Sequence, residues 1–373
     1  MEIEEFKLER LQSLWENEVE INLTESGVHP YTLRELLDEN EIDEVLDLRL
    51  TYGWTNGAPD LRDAIRQSYP GTGRDNVLVT SGSAEANFLA MWTLLEPGDE
   101  IALMLPNYMQ IWGLARSLGV RVKPFHLRSD GSRWGLDLSE LEAVVSNRTK
   151  AIVVCNPNNP TGATLTPEEM DRIVALAESS DAWIYADEVY KGVELDGIER
   201  PSFFGRSDKV AVASGLSKAL AHPGLRVGWL VGPETLIADA WHRNDYTTIT
   251  TSVVSELVAQ KILEPTTRQR ILERNRAMLR ANLDLLQAWI AERPDRLRLV
   301  PPEAGGMAFL EYSYPIGSTD LSTRLRQERS VLVLPGDVYG LDHHLRLGIG
   351  ERAETLSRGL QQLGEFCDSL VGP

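Results

Sequence analysis

Seven short apolar runs constrain this chain more than any other feature. They are "NVLVTSG", "EIALMLP", "VRVKPFHL", "KAIVVCNP", "WIYADEVY", "VAVASG" and "RVGWLVG". Each is the length of a buried strand and is bounded by turn residues. Helical patterns lie between several of them. "SAEANFLAMWTLL" follows the first run. "TPEEMDRIVALAESS" follows the fourth, with Thr166 as N-cap, Pro167 at the first helical position and Glu169 at the capping-box spacing. Strand–helix alternation of this kind predicts an α/β fold: a mainly parallel sheet flanked by helices. The pattern changes near Thr250, where the chain turns mostly helical and then reads as strands again in "LRLVPPEAGGMAFLEY" and "VLVLPGDVYG". The expected organisation is an N-terminal arm over 1–45 that packs with the small domain, a large domain over 46–265, and a smaller α+β domain over 266–373.

Charge and cysteine content narrow the partners. The 373 residues carry a formal net charge of −19, which disfavours nucleic acid and anionic membranes, since both demand positive surface. The two cysteines, Cys155 and Cys367, give neither a disulfide framework nor metal-ligand spacing, and nothing invokes a metal. "MEIEEFKLERLQ" is charged and amphipathic, unlike a signal peptide, and no apolar run reaches bilayer length. The expected location is the cytoplasm.

Ligands of open α/β sheets bind outside the carboxyl ends of the strands, and the chemistry-bearing residues cluster there. "VLVTSGSAEA" is a strand, a small-residue turn and a helix start, so Gly82, Ser83 and Ala84 can offer N–H groups to a phosphate. "NPNNPTG" fixes a rigid turn around Asn159. "YADEVY" places Asp187 at a strand end, with Tyr190 three residues on. "SGLSKALAHPGLRVGW" brings Ser217, Lys218 and Arg226 together just past another strand, and Arg346 emerges from the apolar "LRLGIG". Singly, each has an ordinary use as a cap, a packed aromatic, a surface lysine or a structural ion pair.

Together, and in this order, these motifs with "YGWTNGAPDLRDAI" and "PEAGGMAFL" resemble the fold-type-I, pyridoxal 5'-phosphate-dependent aminotransferase family, from about Leu50 to Gly350. The resemblance implies the following roles. Lys218 forms the Schiff base with the cofactor aldehyde. Asp187 pairs with the pyridinium nitrogen. Tyr190 and Asn159 hydrogen-bond the phenolic oxygen, and Tyr108 stacks on the ring. Gly82, Ser83, Ala84, Ser217 and Arg226 hold the phosphate. Tyr52 reaches a neighbouring subunit's phosphate, which implies a homodimer. Arg346 clamps the substrate carboxylate, with Asn159 beside it. One departure is Gly215, where many members carry serine three residues before the lysine.

The fold leaves the reaction open. "SGVHPYT" resembles a segment of capreomycidine-synthase-like cyclases of hydroxylated arginine. That resemblance points to loss of a hydroxyl and ring closure by a guanidine nitrogen, with Glu25 as a carboxylate for the guanidinium and His29 as a substrate-binding acid or base. The alternatives are an ordinary aminotransferase and, more remotely, a cofactor-bound regulator without turnover.

Overall fold

The structure, a computed structural model, describes residues 3–370. Its centre is an eight-stranded sheet. In spatial order the strands are Val77–Thr80, Gly228–Val231, Val210–Gly215, Trp183–Asp187, Thr149–Cys155, Glu100–Leu105, Arg121–Ser129 and Trp134–Leu136. The middle five pair in parallel. Gly228–Val231 runs antiparallel to both of its neighbours. Two antiparallel steps restore the direction, so Val77–Thr80 ends on the same sheet edge as the parallel strands. Gly228–Val231 begins there.

Successive side chains of a strand face opposite ways, and both faces here are covered. Ala151 and Val153 join one apolar cluster, with Leu89 and Ala115 from the helices Ser83–Leu94 and Gln110–Ser117. Ile152 and Val154 join the other, with Met170 and Ile173 from the helix Pro167–Ser179. The expected capping box is present: Thr166 accepts from the Glu169 N–H, and Glu169 reaches back to the Thr166 N–H. Trp134–Leu136, the eighth strand, escapes a sequence reading because it is three half-buried residues joined to Arg121–Ser129 by a tight turn.

A second sheet of four antiparallel strands lies in the C-terminal third, in the order Leu297–Leu299, Met307–Tyr312, His344–Gly348 and Leu334–Pro335. The 27-residue helix Pro265–Ala291 leads into it. The N-terminal arm joins this part of the chain, because Ile21–Asn22 pairs in parallel with Val331–Leu332. No described helix is long and apolar enough to cross a membrane.

Thr166→Ala removes the cap of Pro167–Ser179 and leaves an N–H without its partner. It is expected to lower stability by about 1 kcal/mol, read as an earlier urea-denaturation midpoint. An unchanged midpoint would show that the cap contributes nothing.

Candidate active site

The sheet edge where the strands end opens into a cleft of about 310 Å³. Cys155 and Asp187 close two neighbouring parallel strands, the turn after Val210–Gly215 carries Ser217 and Lys218, and Tyr108 follows Glu100–Leu105. All of these line the cleft, as do Ser83, Ala84, Asn159, Tyr190, Arg226 and Arg346.

Asp187 lies on the floor. It is 8 % exposed, and its oxygens accept from the Val189 N–H at 3.2 Å and the Asn87 amide at 3.4 Å. No ion pair to it forms among the described residues. Burial raises its carboxyl to about 6 against those two donors, with the more remote Lys218 ammonium contributing least. A buried carboxylate lacking a cation is a seat for a positively charged N–H. Asn87 is itself fixed, accepting from the Tyr185 hydroxyl at 2.5 Å and donating to Gln110 at 2.9 Å.

A second seat suits an anion. Gly82, at φ 81°, turns the chain into Ser83–Leu94, whose first N–H groups on Ser83 and Ala84 have no carbonyl partner within the helix. Arg226 lies against that turn: a Cβ on Gly82 would stand 2.3 Å from its guanidinium, and one on Gly228 would stand 2.3 Å from the Ser83 nitrogen. Its Nη1 approaches the Ser217 hydroxyl at 3.4 Å. Helix N–H groups, a hydroxyl and a guanidinium thus converge on one point.

Arg346 forms a third seat. It is 2 % exposed, with Nη1 donating to Asn159 Oδ1 at 3.0 Å and Nη2 to the Thr24 carbonyl. Its Nε has no partner, and no carboxylate pairs with it among the described residues. A buried guanidinium in that state favours a carboxylate ligand.

Lys218 completes the centre. Its Nζ donates to Glu25 Oε1 at 2.6 Å. Enclosure opposes ionisation of Glu25, yet the Lys218 charge and hydrogen bond, with the Gly27 N–H, hold its carboxyl down at about 2. Tyr190 is buried, and its hydroxyl shares a 2.9 Å hydrogen bond with Ser26. Tyr108 donates to Glu9 at 2.5 Å, and Phe6 meets its ring edge-on.

Two expected residues lie elsewhere. Tyr52 is outside the cleft and 82 % exposed. His29 lines a smaller recess beside the cleft. Its Nδ1 lies 2.6 Å from Glu351, and its Nε2 accepts from Arg352 at 3.1 Å, so neither ring nitrogen is free for a substrate. In this structure His29 thus bridges Glu351 and Arg352.

The sequence reading also passed over residues that the cleft uses. Asn87 had a signal: a lone amide in an apolar helix, 1 % exposed. Glu9, Gln12 and Glu16 line the wall from the helix Lys7–Trp15 and its C-cap. Their spacing of three and four puts them on one helical face. Burial, then the nearby charges of Glu25 and Glu9, raise the Glu16 carboxyl above the usual range.

Residues 28–363 match the model of the class I and II aminotransferases. The chain belongs to the class I and II aminotransferase family. This aminotransferase-family enzyme is 32 % identical to the capreomycidine synthase of Streptomyces vinaceus, over 92 % of its own length and 89 % of that protein's. It is 30 % identical to the arginine–pyruvate transaminase of Pseudomonas aeruginosa, over 89 % and 86 %. Among solved structures it is similar to a PLP-dependent aminotransferase from Streptococcus suis, with a TM-score of 0.93, 31 % identity and complete coverage of both chains. It also resembles the PLP-dependent cyclase OrfR, with a TM-score of 0.88, 27 % identity and coverage of 99 % and 98 %.

The cofactor is pyridoxal 5'-phosphate, and the geometry fits it. Asp187 would partner the pyridinium N–H, the turn at Gly82 with Ser217 and Arg226 would cradle the phosphate, and Lys218 would supply the amine for the aldehyde. When bound, this group supplies an electron sink for the electrons of a broken Cα–H bond.

Asp187→Asn tests the floor in cofactor-free protein. The folded carboxyl, at about 6, stands above the 3.8 of a free aspartate. Its contribution is therefore full below pH 4 and is lost as pH rises through about 6. Stability of the native protein relative to the Asp187→Asn variant should fall across that window in urea denaturation at stepped pH. A flat difference would remove Asp187 from the list of buried, unpaired carboxylates.

Proposed function

We propose that this enzyme removes water from a hydroxylated arginine and closes a cyclic guanidino amino acid of the capreomycidine or enduracididine type. One observation carries the proposal: Glu9, Glu16 and Glu25 line the cleft that also holds Lys218 and Arg346. The three carboxylates share a single lysine, Lys218, which pairs with Glu25 at 2.6 Å. The arm's side of the cleft therefore carries an excess of negative charge, which suits a guanidinium. A capreomycidine synthase and a PLP-dependent cyclase among the similar proteins support the same reading.

The residues divide the work. Arg346 takes the α-carboxylate with paired N–H donors. Lys218 takes the proton from Cα as general base. The acidic wall holds the guanidine near the carbon that loses its hydroxyl. Attack at Cβ closes a six-membered ring and attack at Cγ a five-membered one. Overall one C–O bond breaks, one C–N bond forms and one water leaves, so no keto acid is consumed.

Transamination of arginine is the second reading, favoured by the similarity to an arginine–pyruvate transaminase. The same wall would bind that substrate. We further propose that the enzyme works as a homodimer, with Tyr52 reaching the phosphate cradle of a second copy. Tyr52 is exposed beside the exposed apolar side chains of Leu50 and Trp54, a surface that suits burial against a partner.

The decisive experiment supplies the loaded enzyme with arginine and with its β- and γ-hydroxylated forms, without a keto acid, and reads product masses. Repeated turnover with loss of one water and retention of the α-nitrogen is expected, and Lys218→Ala should abolish it. A single turnover to an oxo acid that resumes on adding pyruvate would replace the cyclase with a transaminase.

Glu16→Gln should raise KM for the guanidine-bearing substrate roughly tenfold, the scale of one charge-assisted hydrogen bond. KM for the matching uncharged urea analogue should stay unchanged. An equal rise for both would detach Glu16 from charge recognition.

A further inference from the structure

The segment "SGVHPYT" supplies one cleft residue, Ser26, directly after Glu25, but leaves His29 and Tyr31 unused by the chemistry. Their contacts are specific. The Tyr31 ring lies parallel to the His222 imidazole, with centroids 5.5 Å apart and planes 3° apart. The Arg274 guanidinium covers the Tyr31 ring at 4.2 Å, and its Nη1 donates to the His29 carbonyl at 2.7 Å. Arginine and histidine thus both pack on the Tyr31 ring.

His222 belongs to the lysine turn. Its N–H donates to the Leu216 carbonyl, the Ala221 N–H donates to the Lys218 carbonyl, and the Ala219 N–H donates to the Val189 carbonyl. The ring is 6 % exposed, and its Nε2 has no partner. Burial lowers its pKa to about 4, so it stacks as a neutral ring. Asn275, next to Arg274 on the long helix, donates to the Ala219 carbonyl at 2.9 Å.

The other end of the segment is equally fixed. The His29 N–H donates to the Gly350 carbonyl at 2.7 Å. The Gly27 carbonyl is seated where a Cβ on Gly350 would stand 1.9 Å away, and one on Gly306 2.3 Å away. Tyr31 lies six positions after Glu25, and His222 four positions after Lys218. The stack therefore joins the segment that carries Glu25 to the turn that carries Lys218.

We propose that Tyr31 and His222 are positioning residues that act on Lys218 through Glu25, their stack, with Arg274 on the Tyr31 ring, holding the arm and the lysine turn in register. The proposal depends on the family's cofactor and is independent of whether the enzyme cyclises or transaminates. From the arm, Lys218 is faced by Glu25 and Glu16, and from the strand end by Asp187, with Tyr190, Arg226 and Arg346 lining the same cleft.

The test is the pH titration of the bound cofactor's visible absorbance, alongside the melting temperature. An anion beside the lysine nitrogen favours its protonated form, so Glu25→Gln should lower the midpoint. Tyr31→Ala should lower it in the same direction by about one unit, a tenfold change. Tyr31→Phe keeps the ring and should keep the native midpoint. The double variant of Tyr31→Ala with Glu25→Gln should shift no further than Glu25→Gln alone, since both act through one carboxylate. A native midpoint in Tyr31→Ala with only a lower melting temperature would reduce the stack to a structural role, and additive shifts would remove Glu25 as the intermediary. If Tyr31→Ala does not fold, Tyr31→Leu, which fills the volume without a flat face, is read by the same criteria.

Discussion

A carboxylate left at the end of a buried strand without a cation organises the whole active centre. Asp187 sits on the cleft floor with only an amide and a backbone N–H for company, and burial raises its pKa to about 6. Unpaired buried charge is costly, so a fold that keeps one here must receive its counterpart from a ligand. The supports of Asp187 are correspondingly rigid. Asn87 is held by Tyr185 and Gln110, and Gln110 donates to the Ala84 carbonyl at 2.9 Å, which ties the floor to the helix that begins the anion cradle. Asp187 and the turn at Gly82 are thus parts of one hydrogen-bonded frame.

That frame exists because of strand direction. Parallel strands bring their carboxyl ends to one edge, and the antiparallel strand Gly228–Val231 delivers Arg226 to the same edge from the opposite direction. Arg226 itself adopts a left-handed conformation, φ 52°, which turns the chain sharply into that strand. Gly228 follows at a point where any Cβ would strike the Ser83 backbone. The close approach of the two segments, and with it the cradle, requires glycine there.

The parts of this site legible in the sequence are those fixed by local chain direction. Lys218, Asp187, Asn159 and the turn at Gly82 each follow a strand by a few residues, so an apolar run and its turn locate them. Glu9 and Glu16 were not legible, although their spacing marks a helical face, because only the packing of the arm decides which way that face looks. The surroundings of His29 were hidden for the same reason: a histidine before proline carries no sign of Glu351 and Arg352, more than 300 residues away in the chain. Asn87 was hidden inside an apolar helix whose polar interruption looks incidental until Asp187 is placed beside it.

The arm also explains how one catalytic core serves different reactions. In the proposed roles, Lys218, Asp187 and Arg346 would treat every α-amino acid alike, since they would serve the atoms that all amino acids share. Discrimination would then come from groups that reach the distal side chain, and the carboxylates proposed for that task lie in the first 25 residues. While Lys218 is an ammonium, Glu25 is neutralised by it at 2.6 Å. Glu9 and Glu16 line the same side of the cleft and form no ion pair with Lys218 or with any other cation among the described residues. On the proposed reading, this excess of carboxylates would favour a cationic distal side chain over a neutral one, and it is differential binding of this kind that turns affinity into selectivity.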